Sequence, residues 1–238
     1  MSDHVLEPTV RAGVLRVERP GTRWLSTGWN GGTEHAATAY NVSVPEGWPE
    51  VDLGAYVADR RARAGFGRAG PTLLTGVGLE HLRGARCGSV EVYATAGLSN
   101  PGALPVPATD GGVRPESRGR FGTVNLLVGT RRALADGALA NLVAVVAEAK
   151  ATTLLAEAGV PGTTTDAIIV GSDPDGETAA FSGSATQVGE ATRACVREAL
   201  LASLRSRYPE RAYPDTVAAA EYGCTTDQQA EVFEAFEA

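Results

Sequence analysis

The sequence predicts an α/β or α+β fold: a single domain in which a central mixed sheet is covered by long helices. Three observations carry that expectation. Strand-like and helix-like segments are interleaved along 238 residues, with no repeat of fixed period. Hydrophobic residues make up 43% and charged residues 21%, so a sizeable core is available. Two long helical segments frame one buried strand near the C-terminal half, which suits helices packed on a sheet.

The elements follow in order. "GVLRVERP" and "RWLST" read as short strands around the Pro20–Gly21 turn. "GWNGGTEHAA" reads as a glycine-rich loop, either one in which Trp29 covers one face of a flat ligand or an ordinary hairpin loop. "TAYNVSVP" alternates as a strand does, and "VDLGAYVADRRARAG" has helical spacing with Gly65 as its stop. "PTLLTGVG" and "SVEVYATAGLSNP" are strands. Residues 101–120, with four prolines and four glycines, form a loop. "FGTVNLLVGT" is a buried strand, and the longest helix runs from Asp136, suited as its N-cap, to Ala158, with Gly159 beyond its end. "TTDAIIVGS" is another buried strand, the Asp173–Gly176 stretch a turn, and the region ending at Tyr208 a short strand, a polar loop and an amphipathic helix. Residues 1–208 make the domain, and 209–238 an acidic extension that frays or docks as a short helix around Asp227–Phe236.

Composition narrows the function. A net charge of -7 with no dense basic stretch excludes a nucleic-acid footprint, and 6% aromatics argue against base-stacking platforms. Arg60, Arg61 and Arg63, like Arg118 and Arg120, read as solvated faces. Cys87, Cys195 and Cys224 have no zinc spacing, and His4, His35 and His81 sit in terminal or turn-like segments, so no metal site is expected. The start lacks a signal-peptide pattern, and the apolar run "LANLVAVVA" is too short to span a bilayer. The expectation is a soluble, cytoplasmic protein.

The chemistry is expected around "EAKATTLLAEAGVPGTTTDAIIVG". Glu148 and Lys150 interrupt an apolar helix about 200° apart, so they cannot pair with each other along it. Each needs a partner elsewhere, or reaches solvent at the sheet's edge. Asp166 precedes a strand, so helix capping does not explain it; it is either a general base or the acceptor of a local turn. Gly162 and Thr163 to Thr165 offer backbone N–H groups and hydroxyls beside it. Asn125 interrupts an apolar strand, and Ser99 and Asn100 end another; buried amides need amide or carbonyl partners. "FSGSATQVGE" resembles an anion-favouring loop before a helix, with Ser182 or Ser184 as conceivable nucleophiles, but without a nucleophile elbow.

The ordered set "STGWNGG", "YNVSVP", "TAGLSNP", "GTVNLLV", "LADGALANLVAVVAEAKATTL", "GTTTDAIIVG" and "GSATQVGEATRACVREAL", from about Val14 to Arg207, resembles the adenosylcobinamide amidohydrolase family of corrinoid salvage. The resemblance implies hydrolysis of the amide that joins the aminopropanol arm to the corrin's propionyl side chain, giving adenosylcobyric acid. It implies a corrinoid substrate, no permanently bound cofactor, and neither nucleic acid nor membrane as partner; a homodimer is left open. Glu148, Asp166 and Lys150 are the candidate catalytic groups. Asn30, Asn41, Ser99, Asn100, Asn125, Asn141, Thr164, Thr165, Ser182 and Gln187 are the candidates for holding a carboxamide-rich substrate. Many relatives carry histidine and lysine where this chain has Ala185 and Gln187, so the loop is expected to shape the pocket rather than move protons. Direct attack by water, with Asp166 or Glu148 as base and Lys150, the threonines or Asn125 on the oxyanion, stands beside acylation of Thr164 or Ser182. A corrinoid-binding protein without hydrolysis is the alternative of another class.

Overall fold

The computed structural model describes residues 4–45, 52–107, 122–210, 212–214, 216–220 and 222–234. The strands are β1 (Glu7–Arg11), β2 (Val14–Glu18), β3 (Arg23–Ser26), β4 (Gly32–His35), β5 (Thr38–Ser43), β6 (Thr72–Thr75), β7 (Arg83–Cys87), β8 (Val90–Ala96), β9 (Gly102–Ala103), β10 (Val124–Leu134), β11 (Ala167–Ala179) and β12 (Cys224–Thr225). The helices are α1 (Leu53–Arg63), α2 (Asp136–Ala158) and α3 (Gln187–Arg207). A six-stranded sheet has the order β4-β3-β11-β10-β8-β7, and a four-stranded sheet the order β1-β2-β5-β6. The larger sheet is mixed: β10 and β11 are parallel, joined by the crossover helix α2, while their outer neighbours run antiparallel.

Alternation along the strands sorts side chains into layers. Leu126 and Val128 of β10, with Ile168 and Val170 of β11, face α2 and α3 in one core. Leu127 and Ile169, one residue along, face the smaller sheet and pack with Leu15, Val17, Ala39 and Leu73. The far side of the smaller sheet, through Val14, Tyr40 and Val42, packs on Ala64, Phe66 and Tyr56 at α1. The order is therefore helix pair, sheet, sheet, helix. Asn41, Thr95 and Asn125 carry polar groups into the space between the two sheets, where hydrocarbon would otherwise be expected.

Several expectations need correction. α2 has the anticipated bounds, but Ala135 is its N-cap and supplies no side-chain bond; Asp136 is the first helical residue and pairs with Arg23. Gly159 does end the helix, at φ 71°. The glycine-rich segment forms a hairpin, one of the two readings open for it, although β4 within it had not been expected as a strand. β1 and β7, edge strands with exposed faces and no apolar alternation, gave no sequence signal. Asp173–Gly176 lies within β11 and does not end it, but the segment bulges out of the pairing: Thr130 faces Ser172 and Arg132 faces Glu177, and Asp175 N donates to Asp173 Oδ1 at 3.0 Å inside the bulge. Residues 227–234 form no helix, and Val232 and Phe233, at 94% and 81% exposure, have no surface on which to bury an apolar face. Arg118 and Arg120 lie outside the described residues.

The apolar stretch of α2 is also longer than the run read from the sequence. An 18-residue window has mean hydropathy 1.5, enough to cross a membrane by length and composition. Leu139, Leu142, Val146 and Leu154 are instead buried against the sheet, so hydrophobicity on that side serves the core.

Candidate functional site

The site begins at the turn between α2 and β11. Gly162 has φ 159°, and a Cβ there would stand 2.4 Å from Asp166 Oδ2 and 2.6 Å from Lys150 Nζ. A side chain there would be strained at this φ and would push both charged ends aside. The space this glycine leaves open is occupied by an ion pair between Lys150 and Asp166, with side-chain exposures of 14% and 9%. Asp166 is held further by the Thr163 hydroxyl and by two backbone N–H groups, those of Thr163 and Val124, each at 3.0 Å. The carboxylate thus ties α2, the turn and the start of β10 together. Four donors fill its lone-pair directions, so any new ligand must displace one of them.

Asp166 also lines a cavity of about 310 Å³ at the end of the two-sheet sandwich. Thr27 and Trp29 come from the β3–β4 hairpin, Leu74 from β6, and Thr123 and Thr165 from the mouths of β10 and β11. Thr165 Oγ1 lies 3.0 Å from Thr123 Oγ1 and donates to Gly122 O at 3.1 Å. Trp29 is 41% exposed and stands at the rim. The lining is mostly apolar with a few convergent polar groups, the usual composition of a small-molecule site. Asp166 is its one charged residue among those described. Lys150 reaches Asp166 from α2, on the helix side of the larger sheet, and is not part of the lining.

Beneath the cavity, Asn125 Nδ2 donates to Asn41 Oδ1 at 3.0 Å and to the Leu74 carbonyl at 2.9 Å. Asn41 donates onward to Thr95 Oγ1, which bonds Thr75. Asn125 Oδ1 is buried without a protein partner. Ser99 and Asn100 reach the same end of the molecule: Asn100 Nδ2 donates to Thr164 Oγ1 at 2.7 Å, and Thr164 N to Asn100 O at 3.2 Å. Of these candidates Thr165 lines the cavity beside Asp166, Ser99, Asn100 and Thr164 belong to the two segments joined at the Asp166 turn, and Asn41 and Asn125 lie between the sheets without lining it.

The remaining candidates do not join them. Glu148 lies on the opposite face of α2, is 57% exposed, and pairs with Arg193 of α3; the 200° separation sends it to solvent. Asn141 stands nine residues before Lys150, roughly 13 Å along the helix. Its Nδ2 donates to Ser182 Oγ at 3.2 Å. Ser182 is fully buried and donates to the Ala138 carbonyl at 2.6 Å, which makes it a structural hydroxyl rather than a nucleophile. Gln187 is exposed at the start of α3, at the end of the sheet away from Asp166. Asn30, at φ 49° in the β3–β4 turn, is exposed beside Trp29 without lining the cavity. Sequence reasoning missed Thr27, Thr123 and Leu74. Isolated threonines and leucines in strands carry no chemical signal; only the convergence of three strand ends singles them out. Thr123 had one available clue, its position two residues before Asn125 on the same strand face.

Burial pushes the Cys195 thiol up to about 12, as befits an inert core residue. Among the described residues no three His, Cys, Asp or Glu side chains cluster as metal ligands would.

The sequence profile of the adenosylcobinamide amidohydrolase family matches residues 3–212. The adenosylcobinamide amidohydrolase of Halobacterium salinarum is 59% identical over 232 residues, covering 96% of this chain and 99% of its own. That of Methanosarcina mazei is 28% identical over 193 residues, covering 77% and 90%. Among solved structures, a Pyrococcus horikoshii OT3 protein overlays 84% of this chain and 79% of its own with a TM-score of 0.43 and 12% identity, too loosely to add to the fold read from the sheets themselves. On the strength of the profile and of the near full-length identity, the chain belongs to the adenosylcobinamide amidohydrolase family.

Proposed function

We propose that the protein hydrolyses the amide between the aminopropanol arm and the corrin of adenosylcobinamide, releasing aminopropanol and adenosylcobyric acid. Family membership supports the substrate. One observation carries the location: Asp166 is presented to the cavity while Lys150 holds it from behind. A corrin far exceeds about 310 Å³, so only the amide-bearing arm enters and the macrocycle rests outside, against Trp29 at the rim.

In this reading water adds across the C–N bond. Asp166 receives the proton of the attacking water after the Thr163 hydroxyl rotates away, since a hydroxyl is the most easily surrendered of its donors. The Thr123 hydroxyl turns from Thr165 Oγ1 to donate to the developing oxyanion, while Thr165 stays bonded to the Gly122 carbonyl. Lys150 keeps Asp166 in place and is a positioning residue, because it does not reach the cavity. The proton leaves with the amine, and the acid remains on the corrin. The corrinoid is the small-molecule partner, and a cytoplasmic location and the lack of a resident cofactor belong to the same reading.

The test is release of aminopropanol from adenosylcobinamide by the purified chain, with mass spectrometry of quenched enzyme. Stoichiometric turnover without a covalent corrinoid adduct is expected. Tight corrinoid binding with no aminopropanol released would overturn the hydrolytic reading, and an adduct on Thr164 or Thr165 would overturn attack by free water.

A further inference from the structure

The chain returns to the site after α3. Residues 222–226 lie beyond the part matched by the family profile, which ends at 212. They nevertheless form an ordered ladder with the loop that follows β8. Tyr222 N donates to Ser99 O at 3.1 Å, Cys224 N to Pro101 O at 2.9 Å, and Thr226 N to Ala103 O at 2.9 Å. β12 and β9 pair in parallel, Cys224 with Gly102 and Thr225 with Ala103. The approach is close: a Cβ on Gly223 would stand 2.6 Å from Val217 Cγ1 and 3.2 Å from Pro101 O.

The other edge of that same loop is fastened to the turn that holds Asp166. Gly102 N donates to Gly162 O at 3.0 Å, Thr164 N donates to Asn100 O, and Pro101 bridges Thr163. Residues 99–103 are therefore the middle of three extended segments. One neighbour supplies Thr163, a direct ligand of Asp166, and the other is the returning C-terminal segment. The middle segment is only five residues long and carries Pro101, which has no N–H to give, so it draws its order from both sides.

We infer that Tyr222–Thr226 is a positioning strap for the hydrolytic site, whose backbone N–H groups hold Ser99–Ala103 against the Gly162–Asp166 turn and thereby fix Thr163, Thr164 and Asp166 for the reaction. The inference rests on the location of the site proposed above. It assigns the segment past the family profile a part in turnover rather than in folding alone.

Cys224→Pro in the full chain removes one ladder donor, while Cys224→Ala keeps it. Two readings separate the strap from the activity assignment. In hydrogen exchange, Cys224→Pro should expose the Gly102 and Thr164 amides at least about tenfold faster, with the cores of β10 and β11 still protected. In turnover, kcat should fall on the order of 100-fold with KM little changed, as expected for a misplaced reacting group, and Cys224→Ala should behave as wild type. Thr226→Pro, at the far end of the ladder, should move both readings in the same direction and stands in if Cys224→Pro does not fold. A folded Cys224→Pro with wild-type exchange at Gly102 and Thr164 and wild-type kcat overturns the strap, as does global unfolding of both proline variants. Should wild type release no aminopropanol, the activity assignment fails while the exchange reading still decides the strap.

Discussion

Two ion pairs leave α2 from positions two residues apart, and they could hardly be more different. Lys150 meets Asp166 at the mouth of the sheets with both side chains nearly buried, whereas Glu148 meets Arg193 on the outer surface at 57% and 35% exposure. In the sequence both are the same signal, a charge inside an apolar helix. The helix separates them by about 200°, and that rotation alone decides which charge must be paired and which can be left to water. Breaking a buried pair leaves an uncompensated charge and costs about 3–5 kcal/mol, while exposed pairs contribute about 0–1 kcal/mol. Charge in a greasy helix therefore locates a region, and only the face selects the residue.

The comparison breaks most directly at its buried member. Asp166→Asn should lower kcat by about 100-fold or more, the ordinary contribution of a positioned base, while the amide still accepts from Val124 N. Lys150→Met should cost about 3 kcal/mol in urea unfolding and also reduce turnover, because Asp166 loses its charge partner. In the double variant stability should recover in part and turnover should not; a double-mutant cycle on unfolding free energies measures the coupling. Wild-type stability and turnover in Lys150→Met would erase the distinction between the two pairs.

Gly162→Ala probes the same pair through the backbone. At φ 159°, with Asp166 Oδ2 2.4 Å from the new Cβ, either the turn or the ion pair must shift. A loss of about 1–3 kcal/mol is expected, with a larger fractional loss of kcat than Lys150→Met shows per unit of stability. Equal thermal stability to wild type would mean that the turn has room the structure does not show.

How much of this was legible beforehand follows from where the signals came from. Apolar periodicity marked α2, α3, β8, β10 and the start of β11, because each buries a face. β1, β4 and β7 did not show because edge strands satisfy hydrogen bonds without burying a pattern. The Lys150–Asp166 site was legible in part: Asp166 lacked a capping role, and Gly162 preceded a run of hydroxyls. Asn125 stood out for interrupting a buried strand, and its unsatisfied Oδ1 justifies the attention. Glu148 was drawn in as a charge in an apolar helix, Asn141 by sharing its stripe, and Ser182 and Gln187 by the glycine-rich loop before α3. Their actual neighbours, Arg193 and the Ala138 carbonyl, come from other elements and carry no trace in local sequence. The strap was invisible for the same reason, since backbone ladders between short irregular segments leave composition unchanged.

A buried carboxylate far from the cavity sharpens the contrast, for Glu91 is buried without a lysine. Burial alone would raise its pKa, but bonds from His4, the N–H groups of Leu6 and Val5, and Tyr93 outweigh that and hold it below the ordinary 4.5. A carboxyl whose folded value is depressed contributes stability above its unfolded value and loses it as pH falls through the folded one. The N-terminal segment pinned by Glu91 should accordingly loosen in acid. As pH falls past the ordinary 4.5 and on through the lower folded value, wild type should lose more unfolding free energy than Glu91→Gln, which cannot titrate. Parallel pH dependences for the two proteins would remove Glu91 from acid sensitivity.

The smallest effect belongs to the exposed member of the first comparison. Glu148→Gln leaves Arg193 in water, where a guanidinium is well hydrated, so no buried charge is created. Unfolding free energy should change by less than about 1 kcal/mol, and less still at high salt, where surface pairs are screened. Because Glu148 lies on the far side of α2 from the cavity, kcat and KM for adenosylcobinamide should match wild type. A tenfold fall in kcat with unchanged stability would place Glu148 in the reaction after all. The two pairs would then be coupled through the helix instead of divided by it, and the cavity at Asp166 would not contain the whole site.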